Sequence, residues 1–137
     1  MTDQSRPADA LASDWAPRVL SLLRVVSALL FLEHGTSKWL GFPPRAAGEA
    51  VTLLSIEGIS GLLEGVGGLF LVFGLFARPV AFLLSGEMAI GYFMAHFPRS
   101  FFPLLNGGEA AVLFCFVFLY LWAAGGGVWS VDRPRRG

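Results

Sequence analysis

The stretch RVVSALLFLEHGTSK, residues Arg24 to Lys38, decides the fold of this chain. It lies inside a long apolar run, yet it contains an arginine, a glutamate, a histidine and a lysine. At about 100° per residue, positions spaced three and four apart form one stripe along a helix: Arg24, Ser27, Phe31, His34 and Lys38. A charged side chain inside a membrane-spanning helix costs roughly 3 kcal/mol and normally faces protein or water. We therefore predict that this helix turns its stripe toward the other helices of a membrane protein.

The composition supports a single domain in a lipid bilayer. Of the 137 residues, 55% are hydrophobic and only 15% are charged, against about 25% charged residues in an ordinary soluble domain. The formal net charge is zero, which argues against a nucleic-acid partner, because such proteins carry a strong basic excess. The single cysteine, Cys115, excludes an internal disulfide and a paired-cysteine redox motif.

Four apolar runs separated by glycine and proline predict four membrane-spanning helices, at residues 19–40, 58–76, 80–97 and 104–124. Each is close to the roughly 20 residues that a bilayer requires. Residues 1–16 are predicted to form a flexible N-terminal tail and residues 127–137 a basic C-terminal tail, so the transmembrane domain covers 17–126. The predicted fold class is therefore all-α, an integral membrane four-helix bundle.

Two further patterns concern packing and orientation. Gly61 and Gly65 form a GxxxG pair, which lets another helix backbone approach closely. An even number of spans places both termini on one side of the membrane, and most of the arginines gather on that side. Because arginine and lysine accumulate on the cytoplasmic side, we predict that both termini are cytoplasmic. The residues on this side are Arg6, Arg18, Arg78, Arg133, Arg135 and Arg136.

The polar residues of the predicted spans form two groups by depth. Arg24 and Glu87 lie about 9 Å and 12 Å from the cytoplasmic ends of their helices, which predicts a structural ion pair. The second group lies in the outer part of the bundle and predicts a polar pocket that opens outward. An alternative stays open, in which Lys38 forms only a structural ion pair with an acidic residue of this group. The predicted pocket residues are Glu33, His34, Lys38, Glu64, Asn106 and Glu109.

Metal and haem chemistry are not favoured by the spacing. A bis-histidine haem would need His34 and His96 at matched depth, but His34 lies several residues deeper. A metal site from His34, Glu64 and Glu109 has suitable ligand types, yet no ExxH or HExxH spacing supports it. The chain also has no nucleotide-binding loop and no nucleophile with a base at a diagnostic spacing. We therefore predict no metal and no enzyme that acts alone.

The order of these features resembles the DoxX family. The similar segments are LRVVSALLFLEHGTSKWLGFP at 23–43, LLEGVGGLFLVFGLFARPVA at 62–81 and NGGEAAVLF at 106–114. The resemblance implies a multi-pass protein of the bacterial plasma membrane. The family takes its name from a subunit of a quinone-linked thiosulfate oxidoreductase, and some members work beside redox-detoxification enzymes. It therefore implies a redox role with quinone as the cofactor, other subunits of a redox complex as partners, and these candidate residues: Arg24, His34, Lys38, Glu64 and Glu109.

Three hypotheses for the function follow. In the first, the protein is a membrane subunit of an oxidoreductase system that holds a quinone or small substrate in the outer pocket. His34 hydrogen-bonds or exchanges a proton with a quinone oxygen, Lys38 stabilises negative charge, and Glu64 or Glu109 relays protons. In the second, it is a non-catalytic scaffold whose ionisable residues fix the helix register. In the third, it carries a small solute or protons. The sequence leaves homo-oligomerisation open in all three.

Overall fold

The computed structural model describes residues 7–45 and 51–133, and within these residues every regular element is helical. A one-turn π-helix, Tyr92–His96, and a 3-10 turn, Phe97–Arg99, extend the third helix. The five α-helices, in chain order, are α1 Pro7–Leu40, α2 Ile56–Phe73, α3 Ala77–Gly91, α4 Pro103–Asn106 and α5 Glu109–Ala124.

The first helix begins earlier than predicted. Residues 7–16 were predicted as part of a flexible tail, but α1 starts at Pro7 and continues without a break to Leu40. Proline is well suited to the first helical position, and the following ADALA segment is rich in alanine, the strongest helix former. Residues 1–6 of the predicted tail lie outside the described residues.

Capping residues set the other helix boundaries. The Ser55 hydroxyl accepts a hydrogen bond from the Gly58 amide at 3.0 Å and so begins α2. Gly74 adopts a left-handed conformation with φ 69° and ends this helix three residues before the predicted limit. The predicted fourth span is divided, because Gly107 has φ 70° and the Asn106 side chain accepts a hydrogen bond from the Gly108 amide at 2.7 Å. This turn separates α4 from α5.

Three described helical segments are long and apolar enough to cross a membrane, and the 16-residue α5 is a shorter apolar helix. Many large hydrophobic side chains on α1 and α2 are exposed, Leu29, Leu62 and Leu69 among them. An apolar exterior of this kind is expected where lipid replaces water as the solvent. The chain is therefore a helical membrane protein.

The helices form two closely packed pairs, α1 with α2 and α3 with α5. The two pairs meet at a small core of Phe31, Leu71, Leu84, Phe118 and Leu121, all essentially inaccessible. The C-terminal segment contacts the N-terminal half of α1, since the Trp129 amide donates to the Ser21 hydroxyl at 3.1 Å. The N-terminal half of α1 and residues 125–133 thus lie at one end of the bundle, which we call the terminal end. The opposite end, with residues 41–45, 51–58 and 97–108, is called the loop end.

The described part of the predicted basic tail, residues 127–133, packs against the bundle. Residues 125–133 fold back across the terminal end and are held by backbone and side-chain hydrogen bonds. The Asp132 carboxylate accepts from the Ala77 amide at 2.7 Å and caps α3, while the Ser130 hydroxyl donates to the Gly74 carbonyl at 3.0 Å. The remainder of the predicted tail, 134–137, lies outside the described residues.

Candidate functional site

Charged and polar side chains from three helices meet inside the bundle, and we call them the three-helix cluster: Lys38 of α1, Ser60 and Glu64 of α2, and Glu87 of α3. The Lys38 ammonium donates to Glu64 Oε1 at 2.7 Å and to the Ser60 hydroxyl at 2.9 Å. The Ser60 hydroxyl donates in turn to the same carboxylate oxygen at 3.2 Å. Glu64 is only 3% exposed. The cluster therefore contains a buried ion pair, as one of the sequence alternatives predicted.

Glu87 brings a second carboxylate to this cluster. Ser60 lies beside it, and the charges of Glu64 and Lys38 act on it. Both of its carboxylate oxygens are buried and have no hydrogen-bond partner among the described residues, and the same holds for Glu64 Oε2. A buried polar atom without a partner is rare in native proteins and calls for an explanation. The cluster thus contains three buried carboxylate oxygens of this kind.

A close helix crossing brings Lys38 to α2. Gly35 is buried one turn before Lys38, and a Cβ on Gly35 would lie 2.7 Å from Gly65 Cα and 2.9 Å from the Gly61 carbonyl oxygen. Only glycine permits two backbones to come this near. A helix backbone thus approaches Gly61 and Gly65 closely, as predicted, with α1 as the partner helix, and the missing Cβ that permits it is that of Gly35. The lysine stem packs over Gly61 as a result, and its ammonium reaches Glu64.

His34 lies on the same stripe of α1, one turn before Lys38, and its ring contacts Phe114 of α5. The centre of its ring lies 6.3 Å from the centre of the Phe31 ring and 6.2 Å from that of the Phe114 ring, which it meets edge to face. The aromatic cluster continues into the core, where the ring centres of Phe31 and Phe118 are 4.9 Å apart. His34 itself remains exposed at the end of the cluster. α1 packs mainly on α2 and α5 mainly on α3, and the two helices contact each other only weakly. The accessible imidazole lies at this weakly packed boundary, which we call the cleft between α1 and α5.

Asn106 has a structural role at the loop end. It is 2% exposed, and its amide donates to the Ser100 carbonyl at 2.9 Å and to the Tyr92 hydroxyl at 3.2 Å. The backbone carbonyl oxygen of Asn106 lies 3.1 Å from His96 Nδ1. These bonds fold the polar groups of the α3–α4 connection onto one another and leave none of the Asn106 side chain for the cluster.

The single pocket predicted from the sequence is therefore corrected. The structure joins Lys38 to Glu64 and places His34 one turn away on α1, against Phe114 of α5. Glu33, His34 and Glu109 are exposed. Glu109 was misplaced because the predicted fourth span is broken. The turn at Gly107 places Glu109 in the exposed first turn of α5 instead of inside a continuous span. Ser60 was missed, although it lies one turn before Glu64 on the same helix face and the spacing could have indicated it.

The predicted ion pair between Arg24 and Glu87 is also wrong. Arg24 is fully buried at the terminal end, and its partners in the described part of the chain are backbone carbonyls: Gly126 at 2.7 Å, Val72 at 2.7 Å, Trp129 at 3.0 Å, and Leu71. Glu87 lies with Lys38, which is fourteen residues, or about 21 Å, further along α1 than Arg24. The two residues differ in depth because Arg24 lies level with the end of α2, whereas Glu87 lies ten residues, or about 15 Å, into α3.

A cavity of about 740 Å³ opens at the terminal end, away from the three-helix cluster. Pro17, Phe76 and Tyr120 contribute apolar surface, and Arg78 and Arg133 lie at its wall. Both arginines bond to backbone, Arg78 to the Trp122 and Ala123 carbonyls and Arg133 to the Val128 carbonyl. Arg78 therefore holds the end of α5, and Arg133 holds the C-terminal segment. In the described part of the chain, no three histidine, cysteine or acidic residues are grouped so as to hold a metal ion.

The sequence model of the DoxX family matches residues 19–97, more than half of the chain. The chain belongs to the DoxX family. An uncharacterized protein of Haemophilus influenzae is 40% identical over 128 residues, covering 87% of this chain and 92% of that relative. No solved structure matches the chain. The DoxX match contains every member of the three-helix cluster together with Arg24 and His34, and it ends before Asn106 and Glu109.

Proposed function

We propose that this DoxX protein is a membrane subunit of a quinone-linked redox system, in which it binds the quinone headgroup for a partner oxidoreductase. The observation that carries the proposal is the position of His34. Its imidazole is accessible at the end of an aromatic cluster, in a cleft between two weakly contacting helices. A planar, apolar ring with carbonyl oxygens suits this setting, because the phenylalanine rings can pack on its face while the histidine hydrogen-bonds an oxygen.

The chemistry expected at this cleft is proton handling. Conversion of a quinone to a quinol consumes two electrons and two protons, and the partner oxidoreductase would supply the electrons. His34 can donate a proton to a quinone oxygen as general acid. The three-helix cluster lies one helical turn further along α1, so ionisable groups are available close to the cleft. The protein itself contributes binding and proton transfer and is not a complete enzyme.

The proposal includes a location and an orientation. The arginines support a bacterial plasma membrane protein with both termini in the cytoplasm. Arg18, Arg78 and Arg133 belong to the terminal end, and Arg45 and Arg99 to the loop end. In this orientation the three-helix cluster and His34 lie in the outer half of the bilayer. A quinone headgroup would then enter the cleft from the lipid side.

Replacing His34 by alanine is expected to weaken quinone binding about tenfold, because one hydrogen bond to the headgroup is lost, equivalent to about 1.4 kcal/mol. The measurement is the rise in melting temperature of the purified protein in lipid nanodiscs as a short-chain ubiquinone is titrated. The wild-type protein should show a saturable rise, and His34→Ala should require about ten times more quinone for the same rise.

The matched control is His96→Ala, which removes the other histidine of the chain. His96 lies at the loop end against the Asn106 carbonyl, so this variant should keep the wild-type response to quinone. The proposal is wrong if saturating quinone leaves the melting temperature of the wild-type protein unchanged. Equal responses of wild type and His34→Ala would place any quinone site elsewhere and would favour the scaffold hypothesis for this cleft.

A further inference from the structure

The three-helix cluster has an unbalanced charge. Lys38 contributes one positive charge, while Glu64 and Glu87 contribute one negative charge each when ionised. The Lys38 ammonium is engaged by Glu64 Oε1 and the Ser60 hydroxyl at 2.7 and 2.9 Å. Glu64 Oε2 and both Glu87 oxygens have no hydrogen-bond partner among the described residues. One negative charge therefore remains uncompensated inside a membrane domain.

A buried charge of this kind is not stable alone. Moving an ionised carboxylate out of water costs far more than one ion pair recovers unless a compensating charge is present. Glu64 is 3% exposed, and the Glu87 oxygens are inaccessible, so water does not compensate either carboxylate. One positive charge in addition to that of Lys38 must accordingly reside in the cluster.

The other ionisable groups near the cluster do not supply this charge. On α1, the His34 ring faces Phe31 and Phe114. On α5, which packs against α3, Glu109 and Tyr120 are exposed, and the Cys115 thiol lies 3.6 Å from the Ser85 hydroxyl. The described ionisable groups that act on Glu87 are Glu64 and Lys38.

We propose that Glu64 and Glu87 together hold one exchangeable proton, so that the three-helix cluster is a neutral proton-binding site inside the bundle. A proton balances the cluster in full, whereas a divalent cation would leave it positive. It also converts one carboxyl oxygen into a donor, for which an oxygen of the second carboxylate is the natural acceptor. Two carboxyl groups close together commonly share a proton in this way, because both cannot ionise at once. The site does not rest on quinone binding at His34.

Infrared spectroscopy of the purified protein in lipid tests this proposal, since a protonated carboxylic acid has a C=O stretching band that an ionised one lacks. Near neutral pH, the wild-type protein should show one such group in the buried cluster, with a band that shifts when water is replaced by D2O. Glu87→Gln and Glu64→Gln should each lose the band, because the remaining carboxylate balances Lys38. Lys38→Met should double the band, because both carboxylates must then be neutral.

Glu33→Gln is the control, since Glu33 is an exposed glutamate on α1, and it should leave the band unchanged. Glutamine matches the shape of a protonated glutamate, so Glu87→Gln is expected to fold. The proposal is overturned if the wild-type protein has no carboxylic acid band, or if the band persists in both glutamine variants of the cluster. A missing band together with a sodium-dependent melting temperature would identify a metal cation as the compensating charge and would also overturn it. None of these measurements uses quinone, so the two proposals fail or succeed separately.

Discussion

Replacing Arg24 by methionine will remove most of the folded protein, with an expected loss of about 3 to 5 kcal/mol in the free energy of unfolding. The reason is the position of the guanidinium, which is fully buried and donates to carbonyls of two separate segments, the end of α2 and residues 126–129. Without it, these carbonyls lose a charged donor in a place that water does not reach. The C-terminal segment should detach from the terminal end.

The measurement is the amount of monodisperse protein after detergent extraction, together with its melting temperature. Arg18→Met is the matched control, because Arg18 lies on the same helix but is exposed, with its guanidinium 5.4 Å from the ring centre of Trp15. This control should behave like wild type. Arg24→Lys should also lose stability, because an ammonium group cannot span the carbonyls that the planar guanidinium reaches. Equal melting temperatures for Arg24→Met and Arg18→Met would show that Arg24 does not hold the C-terminal segment to α2.

Gly35→Ala is expected to destabilise the α1–α2 crossing by about 1 to 3 kcal/mol. The added methyl group would approach Gly65 Cα and the Gly61 carbonyl oxygen at less than 3 Å. Both are backbone atoms, so the clash cannot be relieved by rotating a side chain, and the helices must move apart. Because Lys38 lies one turn away, its hydrogen bonds with Glu64 and Ser60 should lengthen as well.

Gly65→Ala is the control for this prediction. A Cβ on Gly65 has nothing within 4 Å, although Gly65 itself forms part of the surface on which Gly35 packs. Alanine is favoured over glycine in a helix by about 1 kcal/mol, so Gly65→Ala should be neutral or slightly stabilising. Thermal unfolding of both variants in the same detergent provides the comparison. A lower melting temperature for Gly65→Ala than for Gly35→Ala would contradict the described crossing.

The stripe on the first helix shows which burial helical periodicity predicts correctly and which it does not. Arg24, Ser27 and Phe31 are buried as the pattern predicts, and Lys38 is partly buried. His34 belongs to the same stripe but is exposed, because α5, the helix it faces, contacts α1 only weakly. Periodicity identifies which residues share a face of one helix. It cannot tell how tightly the neighbouring helix covers each part of that face.

The pairing of charges shows where the sequence is insufficient. The sequence predicts that Arg24 lies beside Glu87, because the two residues are at similar depths, about 9 Å and 12 Å, from the predicted cytoplasmic ends of their helices. In the structure, Arg24 donates to main-chain carbonyls at the end of α2 and in residues 126–129, of which 127–129 were predicted as part of a basic tail. Any buried donor can be matched either by a side chain or by the backbone, and sequence patterns indicate only the former.

By itself, the sequence determined that this chain is a helical membrane protein of the DoxX family, which face of α1 turns inward, and that the GxxxG glycines of α2 admit a close neighbour. These properties follow from local composition and spacing, because hydrophobicity, periodicity and glycine content act along a single segment. Only the tertiary structure decided that Glu87 joins Lys38 and Glu64, that Arg24 holds the C-terminal segment, and that Asn106 and Glu109 stay outside the cluster. These contacts depend on where helices end and how they cross, and a single turn of about 5.4 Å is enough to exchange one buried partner for another.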